Sequence, residues 1–120
     1  MAIETIPNRY PNLDTTVTLT TPFVNACPHS GEPQPGSTVS VIYQPKGKLI
    51  ELHGVEKYLA KLAGGDEALD LETVAQLVAM AAWETLGESV KVEANYKLRD
   101  DLERYAVSRF DDCNSRQGMV

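Results

Sequence analysis

The chain is predicted to fold as an α+β domain, an antiparallel β-β-α-α-β-β sheet with two helices on one face. Three observations carry this. Segments early and late in the chain alternate apolar with polar residues, the period-2 signature of half-buried strands. Between them, two stretches place apolar residues at helical spacing. Glycines and prolines fall at the boundaries of these segments rather than inside them.

Residues 1–14 contain Pro7 and Pro11, show no clean period and are predicted to be an extended N-terminal arm. Thr15 to Thr21 alternates Val17 and Leu19 with threonines and reads as a strand. Pro22 to Gly36 is dense in breakers (Pro22, Pro28, Gly31, Pro33, Pro35, Gly36), a long loop of the kind that usually carries function. Ser37 to Gln44 holds Val39, Val41, Ile42 and Tyr43 and reads as a second strand. After the turn Pro45-Lys46-Gly47-Lys48, Leu49 to Leu52 is expected to continue that pairing.

Val55, Tyr58, Leu59 and Leu62 share one face of a short helix that Gly64-Gly65 ends. Asp70 has the chemistry of an N-cap, and the stripe Leu71, Val74, Ala75, Val78, Ala81, Ala82 runs on to Leu86, with Gly87 as the stop. Its alanines suit close packing on a sheet. Ser89 to Leu98 alternates Val90, Val92, Ala94, Tyr96 and Leu98 with polar residues; Arg99 to Glu103 is a charged connection; Arg104 to Phe110 reads as a last strand. The organisation is therefore an arm (1–14), one domain (15–110) and a flexible polar tail (111–120). The open edges and uncovered face of such a sheet invite closure by neighbouring copies, so a homo-oligomer is expected.

Composition narrows the chemistry. At 120 residues, 42% hydrophobic and 23% charged, the chain has material for one core of ordinary globular character. It has no apolar run of the roughly 20 residues a membrane helix needs, and no basic-then-apolar leader, so the cytoplasm is expected. Two cysteines, Cys27 and Cys113, are too few for a disulfide framework, and with two histidines they cannot supply the tight four-ligand spacing of a structural zinc. No metal is expected. The net charge of −6, with scattered Lys and Arg, weighs mildly against a polynucleotide partner without excluding one that an oligomer assembles.

The segment Phe23-Val-Asn-Ala-Cys27-Pro28-His29-Ser30-Gly31-Glu32-Pro33 holds the most informative chemistry. A cysteine before proline in a Pro-rich loop is held outside secondary structure. His29 and Glu32 are near enough in sequence to act as proton partners, and a protonated imidazole beside a thiol favours the thiolate. From residues alone two roles stay open for Cys27, a covalent nucleophile or a cysteine packed beneath a proline turn.

This loop resembles the catalytic loop of the 7-cyano-7-deazaguanine (preQ0) nitrile reductases, the QueF family of the queuosine pathway, which runs Phe-x-x-x-Cys-Pro-x-Thr/Ser-x-x-Pro-Asp. Phe23, Cys27, Pro28, Ser30 and Pro33 match it. The family's second motif, Glu-Ser/Leu-Lys-Ser/Ala-apolar-Lys-x-aromatic, has its counterpart in Glu51-Leu52-His53-Gly54-Val55-Glu56-Lys57-Tyr58. The element order is similar to the family's tunnelling fold (T-fold), so the resemblance covers about residues 15–110. It implies a ring, a pentamer or a decamer made of two, with sites across subunit boundaries. It also implies that the Cys27 thiolate attacks the nitrile carbon to form a thioimide, with His29 and Glu32 as proton partners. A glutamate at the start of the long helix would read the base: Glu72, with Asp70 as the alternative. Phe23, Ser30, Glu51 and His53 are expected in the same substrate site.

Three departures shape the expected activity. His53 and Glu56 stand where the reductases carry lysines, and near cofactor phosphates Glu56 would repel: at about 4 Å and an effective dielectric near 20, like charges cost on the order of 4 kcal/mol. Gln34 replaces the aspartate after Pro33, and an amide is no general base. The histidine that precedes the base-reading glutamate is missing. The pattern is therefore closest to the archaeosine-type amidinotransferases of the QueF-like subgroup. It implies conversion of nitrile to amidine, with ammonia as nitrogen donor and no cofactor, on a base carried in a nucleic acid such as tRNA or DNA, or free. The alternatives are an NADPH-dependent nitrile reductase giving the aminomethyl base, and a module that only binds deazaguanine.

Overall fold

The computed structural model describes residues 3–23, 33–63 and 70–111, with Leu71 in its backbone only. It is α+β. Strands β2 (Val17–Pro22), β3 (Gln34–Tyr43), β5 (Val90–Lys97) and β6 (Glu103–Phe110) form one antiparallel sheet in the order β2-β3-β5-β6. Strands β1 (Thr5–Pro7) and β4 (Lys48–Ile50) form a separate antiparallel pair. Helices α1 (Gly54–Ala63) and α2 (Leu71–Leu86) lie between β4 and β5 in sequence.

The alternation read from the sequence sets the layers. Val39, Val41 and Tyr43 of β3 and Val90, Val92, Ala94 and Tyr96 of β5 are all buried, and across the ladder Val39 faces Ala94, Val41 faces Val92 and Tyr43 faces Val90. The helices cover this face with Val55, Leu59, Val74, Ala75, Val78 and Ala82. Residues in the opposite phase, such as Thr18, Thr20, Glu93, Asn95 and Arg109, are exposed or half-buried. The small residues of α2 let it approach the sheet closely, and Asp70 caps it by accepting from the Thr73 N–H at 2.7 Å. Gly87 ends it in the left-handed region at φ 74°, a conformation glycine adopts without steric cost.

Helix α2 runs along β6. Its first turn lies beside Arg104, where Glu72 pairs with that side chain, and its last beside Phe110, on which Trp83 stacks at 4.2 Å. This direction places every residue named below at one of two ends of the sheet.

Two elements differ from expectation: β4 leaves the main sheet, and strand structure enters the segment expected to be loop, with β2 running to Pro22 and β3 starting at Gln34. Residues 48–50 do not extend the β3 pairing but pair with Thr5–Pro7, so the N-terminal arm supplies a strand. The turn at 44–47 carries β4 off the main sheet, and the buried Tyr43 hydroxyl holds it there by accepting the Ile50 N–H at 2.7 Å. The connection after β5 is a tight turn, Arg99–Asp101, with Asp100 and Asp101 at φ 61° and 60°, a region short polar side chains tolerate. In β3, Gly36 at φ 96° sits in the irregularity between Gln34 and Thr38.

Tyr43→Phe tests the link between the two sheets. Losing the hydroxyl strands a buried backbone N–H, so urea unfolding is expected to report a loss of about 1–3 kcal/mol with an unchanged m-value.

Candidate functional site

The described half of the site is built at the end of the sheet where α2 begins. Phe23, the first residue after β2, is buried and donates its N–H to the Ser37 carbonyl at 3.1 Å. The Ser37 hydroxyl donates to the Gln34 carbonyl at 2.8 Å and accepts the Lys97 N–H at 2.8 Å. These bonds bring Phe23 and Pro33, the described residues flanking positions 24–32, to the same end of the sheet. Phe23 packs on Tyr96, with ring centroids 6.4 Å apart and planes tilted by 52°.

Above this aromatic floor stands the first turn of α2. Glu72 accepts from Arg104 at 2.6 Å, and its charge reaches the Tyr96 phenol. Burial, with a smaller contribution from Glu72, pushes the Tyr96 phenol well above the ordinary tyrosine range, so it stays protonated. The Asp70 carboxyl is held below its ordinary range, chiefly by its hydrogen bonds with Thr73 and in smaller part by Arg104. Of the two candidate base readers, Asp70 is engaged as helix cap; Glu72 is half-exposed and has lone pairs to spare.

Glu51 and His53 lie at the other end. The Glu51 carboxylate accepts the His53 N–H at 2.9 Å, and the Glu51 carbonyl accepts the Gly54 N–H at 2.8 Å, so Glu51 organises the start of α1. The His53 ring lies 3.2 Å from the Glu56 carboxylate, both exposed. Lys57 is paired with Glu4 at 3.1 Å. The arm binds this region to the last turn of α2, through the Ile3 N–H to the Thr85 hydroxyl at 3.2 Å. Thr85 lies thirteen positions along the helix from Glu72, about 20 Å at the α-helical rise. One protomer therefore does not bring Glu51 and His53 to Glu72 and Phe23.

Cys27, His29, Ser30 and Glu32 lie outside the described residues, as does Cys113. Gln34 is half-buried at the start of β3. A cavity of about 280 Å³, lined by Thr16, Ile42, Lys91 and Arg109 among others, opens at the end of the sheet away from Glu72. It contains none of the predicted residues. Among the described residues no cluster of His, Cys, Asp and Glu could hold a metal ion, and no helix is long and apolar enough to cross a membrane.

Sequence reading missed Arg104 and Tyr96. Arg104 was legible in principle: it is in phase with Ala106, Ser108 and Phe110, the half-buried residues of β6, so its charge sits on the face that meets the helices.

No family model matches the chain. It is similar to two curated proteins, each named NADPH-dependent 7-cyano-7-deazaguanine reductase. One, from Chlorobium chlorochromatii, is 35% identical over 57 residues, 47% of this chain and 48% of that protein. The other, from Chloroherpeton thalassium, is 37% identical over 57 residues, with the same coverage of both chains. The match thus spans about half the length of these relatives.

Asp70→Ala is expected to lower the thermal unfolding midpoint at pH 7 by loss of the cap. Because the folded-state carboxyl titrates below its ordinary range, the cap contributes above that range and fades as pH falls through the depressed value. The difference between variant and parent should therefore shrink in acid, as melts at pH 7 and pH 3 would reveal.

Proposed function

We propose that the chain converts the nitrile of 7-cyano-7-deazaguanine by covalent capture on Cys27, and that the aminomethyl base, formed by NADPH-dependent reduction, is its product. The observation that carries this is the half-exposed Glu72 carboxylate, held at the same end of the sheet as Phe23 and Pro33, between which the Cys27 loop runs. Four residues of chain cannot take Cys27 more than about 14 Å from Phe23. That reach is compatible with a nucleophile and an anionic acceptor for an amino and a ring N–H group acting on one base. The names of the two curated relatives support the substrate and favour reduction.

In this reading the Cys27 thiolate adds to the nitrile carbon, and the nitrile nitrogen takes a proton, giving a thioimide. His29 and Glu32 exchange the protons, since Gln34 cannot act as a base. Glu72 accepts the base's donor pair, with Phe23 and Ser30 closing the pocket. Glu51 and His53 reach it from a neighbouring copy, because about 20 Å separates the two ends within one protomer. This supports a tunnelling-fold ring, a pentamer or decamer, with sites at subunit boundaries.

The described residues of the second motif do not fit the phosphates of a nicotinamide dinucleotide. Glu56 meets His53, Glu51 lies beside them, and the Lys57 ammonium is engaged by Glu4. Contacts to NADPH would have to come from other residues. This acidic surface is the specific observation favouring the second reading, in which ammonia rather than hydride completes the reaction and an amidine forms on a free or nucleic-acid-borne base, as in the archaeosine-type subgroup.

Intact-mass spectrometry after mixing with 7-cyano-7-deazaguanine should reveal an adduct of the full mass of the base, abolished by Cys27→Ala and retained by Cys113→Ala. An adduct on Cys113 alone overturns the assignment of the nucleophile. Product analysis then separates the fates. With NADPH the aminomethyl base is expected, at a cofactor KM raised by the loss of two cationic positions. Amidine formed with ammonium and indifferent to NADPH selects the second reading, and an adduct that never turns over leaves a binding module. Sedimentation at micromolar concentration should find a closed ring, and a monomer would count against a shared site.

A further inference from the structure

We infer that Arg104 is the positioning residue of the base-reading site: it fixes the Glu72 carboxylate so that discrimination for a base bearing a 2-amino group depends on it. This rests on the proposed role of Glu72 and extends it to a residue on a different element.

Arg104 begins the row Arg104, Ala106, Ser108, Phe110 on the helix-facing side of β6, and its register partner on β5 is the fully buried Tyr96. Arg104 carries the charge on a face otherwise given to small and aromatic residues, and the first turn of α2 supplies its counter-charge. Arg104 donates through Nη1 to Glu72 Oε1 at 2.6 Å, and its charge also reaches Asp70. The pair is about half-exposed, at 55% and 45% of side-chain surface, so water screens it and it adds little to stability. Its geometry matters more. A guanidinium bound to one carboxylate oxygen restricts the rotamers open to that carboxylate. The remaining lone pairs of Oε1 and both of Oε2 stay available to an amino group and an adjacent ring N–H. Without Arg104, Glu72 is a flexible side chain on an exposed helical turn, and each binding event must order it.

The test is calorimetric titration of the full chain with 7-cyano-7-deazaguanine and with the same base lacking its 2-amino group. The parent should prefer the amino-bearing base. Arg104→Gln should weaken that base by roughly 10- to 100-fold and leave the des-amino base within about threefold. Glu72→Gln should collapse the same ratio, the double variant should be no worse than Glu72→Gln alone, and Arg104→Lys should recover part of it. A merely structural role would lower both affinities together, and thermal melts check that each variant folds. If Arg104→Gln keeps the parent ratio while Glu72→Gln loses it, the inference about Arg104 is overturned and the role of Glu72 stands. If Glu72→Gln also keeps the ratio, or the parent binds neither base, the underlying site assignment fails and this inference falls with it.

Discussion

The antiparallel pairing of β3 with β5 is the constraint on which the rest of the structure depends. Thr38 to Tyr43 lies in register with Val90 to Asn95, and this brings Val39, Val41, Val92 and Ala94 onto one face with no exposed surface. A one-residue slip of either strand would send its two to the other face, so the core tolerates one pairing only. Everything functional is measured from this ladder. Its Gln34–Lys97 end anchors the flanks of the cysteine loop, and its Tyr43–Val90 end anchors the β1–β4 pair and the start of α1.

Helix α2 converts that ladder into a site with direction. Its alanines allow close seating on β5 and β6, and the N-cap at Asp70 and stop at Gly87 set its length to the sheet. One end then presents a carboxylate over buried aromatic rings, and the other presents an aromatic stack and the contacts to the arm. Within one chain Glu51 and His53 lie toward the opposite end of the 16-residue helix from Glu72.

The electrostatics are economical. A chain of net charge −6 uses its few cations locally: Arg104 on Glu72, Lys57 on Glu4, Lys91 on Glu93 and Lys97 on Glu103. Most of these pairs are exposed and contribute little to stability. Arg104 differs because it sits on the helix-facing side of its strand, opposite Tyr96, and pairs with a carboxylate in the first turn of α2.

The sequence by itself determined the α+β class, both helices with the two caps of α2, and the faces of the main strands. These are local properties: a period of 2 or 3.6, a capping carboxylate, a glycine able to adopt positive φ. It also nominated Cys27, Glu51 and His53 from two motif strings and Glu72 from its place at the start of the long helix. It did not determine that Leu49 and Ile50 would leave the main sheet for the arm, which rests on the Tyr43 hydroxyl reaching a backbone N–H seven residues away. Nor did it place Glu72 with Arg104, 32 residues on, or keep Glu51 and His53 at the far end of α2. Those relations are long-range, set by the direction in which a helix lies on a sheet, and only tertiary packing decides that direction.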